Sequence, residues 1–171
     1  MIIRQEQTSD YEEVYNLVKT SFATSSHDDG TTADYLNEVR KKDTFIPELS
    51  LVAVECEKII GQVVLYKTDI TTESGKQTEL LLSPICVHPD YFRRGIAREM
   101  VETALGKAKA MGYKAVFLCG NPDFYKKLGF APTYLHDIIH IKDDKRKAEW
   151  SMVRELYGGA LDGITGAINT N

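Results

Sequence analysis

The sequence has little of what would mark it for most ligand classes. Its three cysteines, Cys56, Cys86 and Cys119, lie in apolar, strand-like stretches. An odd count of this kind gives no disulfide framework and reads as reduced, buried thiols. There is no basic excess: 21 Lys and Arg stand against 25 Asp and Glu, a formal charge of −4, which argues against a dedicated nucleic-acid binder. No apolar run approaches the roughly 18 residues of a membrane span. The opening MIIRQEQTSD lacks a charged segment followed by a long apolar one, so no signal peptide or membrane anchor is expected and the reading is cytoplasmic. Neither G-x-G-x-x-G nor G-x-x-x-x-G-K-[ST] occurs, which excludes a dinucleotide fold and a P-loop enzyme. His136 and His140 stand four apart in a strand-like segment without a third ligand, so no metal site is expected.

What is present fits one α/β domain. The 171 residues, 43% of them apolar, suffice for a core without covalent staples. MIIRQE reads as a strand. TSDYEEVYNLVKTSFA reads as a helix with Ser9 and Glu12 in capping-box spacing, and TADYLNEVRKK as a second helix capped by Thr32. LSLVAVEC and IIGQVVLYKTDI form a hairpin about Glu57 and Lys58, and TELLLSPICV is a further long strand. From Ile96 a third helix carries Met100, Val101, Ala104, Leu105 and Ala108 on one face and ends at Gly112. KAVFLCG is the fifth strand, followed by a short helix capped by Asn121 and opened by Pro122. GFAPTYLHDIIHI and AEWSMVREL read as a closing strand pair. The domain spans residues 1–156, and the glycine-rich 157–171 reads as an irregular surface tail. The order gives a mixed, mostly antiparallel sheet with one helical crossover.

The segment CVHPDYFRRGIAREMV, residues 86–101, sets two arginines and a glycine at a helix start directly after a strand. A helix start offers unpaired N–H groups and a partial positive charge. Glycine allows close backbone approach, so the turn suits a pyrophosphate. Upstream, Pro84 cannot donate to a ladder, and a strand that bulges there leaves the backbone of Ile85, Cys86 and Val87 needing a partner. Coenzyme A, an amide-rich arm joined to a pyrophosphate, matches both features.

LSPICVHPDYFRRGIAREMVETAL resembles the cofactor motif of the GNAT superfamily of acyl-CoA-dependent N-acetyltransferases, and NPDFYKKLGF resembles the superfamily's later Y-x-x-L-G-F signature. The resemblance implies a GNAT-type sheet whose fourth and fifth strands splay apart between flanking helices. It implies acetyl-CoA as acyl donor, with no metal. Ile85, Cys86 and Val87 would meet the pantetheine arm, while Arg93, Arg94, Gly95, Ile96, Ala97 and Arg98 would surround the pyrophosphate. Asn121 joins them as a candidate cofactor contact. Phe92 stands where the family favours Gln or Arg, and Ala97 replaces a second glycine, so binding is expected to run mainly through backbone N–H groups.

Tyr125, by the same resemblance, is the general acid on the departing thiolate. The N–H of Ile85 or Cys86 would stabilise the carbonyl oxygen. Glu79 is a candidate base acting through water, about 20 Å along the strand from Ile85, and a water relay without a dedicated side chain is the competing route. Cys86 has no histidine placed by motif to make it a nucleophile. Asp28 and Asp29 in SSHDDG would receive a cationic acceptor. The expected acceptor is a small-molecule or peptide amine, with no nucleic acid or membrane involved, and the chain is compatible with a homodimer. The alternative is a catalytically weak acyl-CoA sensor or partner-binding module of the same fold.

Overall fold

The computed structural model describes residues 1–23 and 30–170, so the candidate loop with Asp28 and Asp29 lies outside the described residues. The chain divides into two compact units, Met1–Tyr66 with Ser83–Lys107, and Lys67–Leu82 with Ala108–Asn171.

In the first unit, β1 (Ile2–Gln5), β2 (Phe45–Glu55) and the leading part of β3 (Lys58–Thr72) form antiparallel ladders, Ile3 opposite Ala53 and Leu51 opposite Val63. Helix α1 (Tyr11–Phe22) buries Val14, Leu17 and Val18, and α2 (Thr32–Val39) buries Ala33, Leu36 and Val39. Both stripes follow the helical period, and they pack with Val52, Ile59, Val64 and Cys86. Each valine, leucine or isoleucine among them contributes about 1.5–3 kcal/mol on removal from water. The entry to α1 is held by Asp10, not by the expected Ser9–Glu12 pair: its carboxylate accepts from Gln7 N at 2.8 Å and pairs with Arg4. The β2–β3 turn falls on Cys56 and Glu57, both left-handed at φ 49° and 63°, one residue earlier than the sequence suggests. Two such residues give the turn that matches strand twist.

Strand β4 (Gly75–Val87) leads through a short 3-10 turn at Pro89–Tyr91 into α3 (Ile96–Ala110). The expected stripe of Ile96, Met100, Val101, Ala104, Leu105 and Ala108 is buried. Gly61 leaves room for Met100, since a Cβ there would lie 2.8 Å from its methyl carbon.

In the second unit the first part of β4 pairs in parallel with β5 (Ala115–Cys119), Leu80 opposite Val116 and Leu81 opposite Phe117. Strand β8 (Ser151–Glu155) runs antiparallel between β5 and the two-residue β6 (Ala131–Pro132). The expected closing pair forms only at Ala131–Pro132: β7 (Ile138–His140) pairs with β9 (Gly166–Ile168) instead of with β8. The end of the chain is therefore no irregular tail. Strand β9 also pairs with the end of β3, and Ala160, Leu161 and Ile168 are buried, because their apolar side chains gain more from burial than the glycines cost. Of the cysteines only Cys86 is buried, and Cys56 and Cys119 are exposed, a correction that follows from their places in the β2–β3 turn and at the end of β5.

Candidate active site

Strand β4 continues through Pro84, whose peptide bond with Ser83 is cis, to Val87. Its parallel pairing with β5 covers Leu80 and Leu81. Further along, His88 N donates to Ile60 O at 2.8 Å, so the even-numbered residues present their backbone groups to β3. Alternation then turns the N–H and C=O of Ile85 and Val87 to the opposite edge. Cys86 belongs to the β3 side, which separates it from the two residues expected beside it.

Past Tyr91 the backbone turns through Arg93 at φ 64° and Gly95 at φ 79°. Two left-handed residues within three positions are the geometry of anion-binding nests. A Cβ at Gly95 would meet nothing within 4 Å, so glycine serves the backbone angle and leaves open space over it. The first helical bond of α3 runs from Glu99 N to Gly95 O. The N–H groups of Ile96 and Ala97 precede it and project from the positive end of a 15-residue helix. Ile96 is buried by its side chain, which leaves its N–H as the group it can offer a ligand. The Arg94 guanidinium is committed to Glu55, at 3.0 and 2.8 Å, and lies over the Tyr91 ring. It anchors the turn to the end of β2. Glu55 gave no sign of this in the sequence, being 39 residues away.

The Cys86 thiol is pushed up to about 12 by burial, which the nearby Ser21 hydroxyl and Gln62 N–H offset only in part. It stays protonated at neutral pH and is a packing residue.

Asn121 and Tyr125 belong to the second unit, on and before α4 (Pro122–Tyr125). Asn121 Oδ1 accepts from Asp123 N at 2.9 Å, the expected cap. The Tyr125 ring stands edge-on to Phe124 and Phe130, at centroid distances of 4.9 and 5.8 Å. Burial raises its phenol to about 12. Glu79 is buried at the other end of β5. Its carboxylate accepts from Lys114 N at 2.8 Å, Ala115 N at 3.2 Å and Gln77 Nε2 at 2.8 Å. The five residues of β5 separate that anchor from the Tyr125 end by about 16 Å.

Among the described residues no cluster of three His, Cys, Asp or Glu is placed to hold a metal, and no helix is long and apolar enough to cross a membrane.

An open strand edge followed by a left-handed turn into a helix start, on a mixed sheet with a parallel β4–β5 pair, is the architecture of an acyl-CoA transferase, and the family profile of the acetyltransferase (GNAT) domain matches residues 2–133. The chain belongs to the GNAT acetyltransferase family. It is 28% identical over 175 residues to the Escherichia coli K12 protein named uncharacterized N-acetyltransferase YhbS, covering 98% of this chain and 95% of that one. The crystal structure of E. coli YhbS in complex with CoA superposes with a TM-score of 0.84 at 27% identity, over 98% of this chain and 87% of that one. A GNAT acetyltransferase of Brucella melitensis, in complex with acetyl-CoA, shares the fold at a TM-score of 0.78 and 18% identity, over 99% and 95% of the two chains.

Proposed function

We propose that this protein transfers an acetyl group from acetyl-CoA to a primary amine by direct attack. The observation that carries the reading is the order along one segment: the open backbone edge at Ile85 and Val87, then the left-handed turn and the N-terminus of α3. That order suits an amide arm followed by a pyrophosphate. YhbS, which binds CoA in its crystal structure, supports it.

The amine must attack as a free base. For an amine with pKa near 10.4, deprotonation at pH 7 costs about 4.6 kcal/mol. Its proton leaves through water in this reading, because Glu79 spends both carboxylate oxygens on donors at the far end of β5. The amine nitrogen bonds to the thioester carbon, and the oxygen gains charge opposite the Ile85 N–H, the one of the two candidates that points away from β3. The nitrogen, cationic once bonded, gives up a second proton to water, the C–S bond breaks and the sulfur leaves with the electron pair.

Tyr125 is the acid for that sulfur in this reading, as a hydrogen-bond donor to it and as the source of any proton it takes. Burial keeps its phenol protonated at neutral pH, so it enters the reaction able to donate. A thiolate matching a thiol near 8.5 is a weaker base than the phenolate by roughly 3.5 units, about 4.8 kcal/mol. The phenol therefore acts chiefly through a hydrogen bond that strengthens as charge builds, and solvent returns the proton to any phenolate formed. This places its contribution toward the lower end of the 10²–10⁴ range of one positioned acid.

The test measures thiol release from acetyl-CoA with a panel of primary amines, for the parent and Tyr125→Phe. The variant is expected to lose about 10²-fold in kcat at nearly constant acetyl-CoA KM. Undiminished kcat removes the acid role. Binding of acetyl-CoA with no thiol release from the parent favours the sensor reading.

A further inference from the structure

We infer that Gly120 is a positioning residue for Tyr125: its missing side chain is the seat of the catalytic ring. The inference rests on the acid role proposed for Tyr125 and extends it to a residue outside the recognised motifs.

A Cβ built on Gly120 lies 2.4 Å from Tyr125 Cε2, 2.9 Å from Cδ2 and 3.4 Å from Cζ, the carbon that carries the hydroxyl. Gly120 is absent from the residues with positive φ, so no left-handed angle calls for glycine there. Glycine is needed here for space. The backbone cannot withdraw readily, because Gly120 N donates to Trp150 O at 2.9 Å, directly after β5 ends at Cys119. The segment carrying the ring is pinned as well. Tyr125 N donates to Asn121 O at 3.1 Å and Phe130 N to Tyr125 O at 3.1 Å.

With both backbones held, the ring is the part that gives. Restoring ordinary carbon–carbon separation of about 3.5 Å requires it to move by roughly 1 Å. Phe124 and Phe130 stand against it at steep interplanar angles of 82° and 73°, so the movement swings the ring out of its seat and takes the hydroxyl with it. A misplacement of about 1 Å at a reacting group can cost on the order of 10²-fold in rate.

The test is a double-mutant cycle of the parent, Gly120→Ala, Tyr125→Phe and the pair. The readouts are thiol release from acetyl-CoA with the best-used amine among spermidine, lysine methyl ester and an alanyl peptide, together with slow hydrolysis in their absence, and the acetyl-CoA dissociation constant. Gly120→Ala is expected to lower kcat about 10–10²-fold with acetyl-CoA affinity kept. In the Tyr125→Phe background the same substitution should add little, because the displaced hydroxyl is already gone. A full kcat in Gly120→Ala, or an equal loss in both backgrounds, overturns the inference while leaving the acid role of Tyr125 standing. An undiminished kcat in Tyr125→Phe alone, or no thiol release from the parent under any condition, removes the acid role and this inference with it. Should Gly120→Ala fail to fold, adding Tyr125→Ala must restore folding by removing the ring it strikes, and failure to do so also overturns the inference.

Discussion

Glu79 separates an anchoring carboxylate from a catalytic one, and the structure sets the size of the effect. Replacing it by alanine strips Lys114 N and Ala115 N of their shared acceptor. The buried Ala115 N–H then incurs about 1–3 kcal/mol and the part-buried Lys114 N–H about 1 kcal/mol, a destabilisation of about 2–4 kcal/mol. At about 2–4 °C per kcal/mol for a chain of this size, Tm should fall by roughly 4–16 °C. Glu79→Gln keeps an oxygen for the two N–H groups, and the Gln77 amide can rotate to accept from the new nitrogen. Only the charge assistance is lost, about 1 kcal/mol, so Tm should move by a few degrees. In both variants, assayed well below Tm, kcat should match the parent. The assay pairs calorimetric or fluorescence melting with thiol release from acetyl-CoA. A Glu79→Gln variant with parental Tm and kcat reduced by about 10² or more would be the signature of a base and would refute this reasoning.

Gly95→Val should raise the acetyl-CoA dissociation constant at least tenfold. The left-handed angle of 79° strains a β-branched residue by about 1–2 kcal/mol, and relief of that strain turns the N–H groups away from the anion; titration calorimetry with acetyl-CoA checks it, and an unchanged constant removes the turn as the phosphate site. The Cys86 thiol, pushed up to about 12, holds a thiolate fraction on the order of 10⁻⁴ at pH 8. Iodoacetamide should label the exposed Cys56 and Cys119 of the native protein and spare Cys86, and Cys86→Ala should keep kcat; loss of kcat in that variant would revive a covalent route.

The fold was legible where local chemistry and tertiary packing demand the same thing. The α3 stripe from Ile96 to Ala108 reads out of the period alone, and Asn121 with Pro122 announces α4 by its cap. The RRG turn was readable because a left-handed angle next to a helix start leaves glycine as a local signature. Reading failed where a residue's role depends on a distant partner. Glu79 looked like an isolated acid on a strand, because the N–H groups it accepts from lie 35 and 36 residues away. The glycine-rich end looked irregular, because what makes Gly166–Ile168 a strand is supplied by β3 and β7.

The family, the left-handed turn before α3 and the tyrosine motif are each written in contiguous residues, whose conformation follows from their own side chains. Which backbone groups of β4 face β3 and which face away, the hold of Glu55 on Arg94, and the fit of the Tyr125 ring into the space at Gly120 come from tertiary contacts. These are relations between segments. Burial, alternation of a paired strand and steric exclusion exist only once the chain has closed on itself, so no single stretch of the sequence carries them.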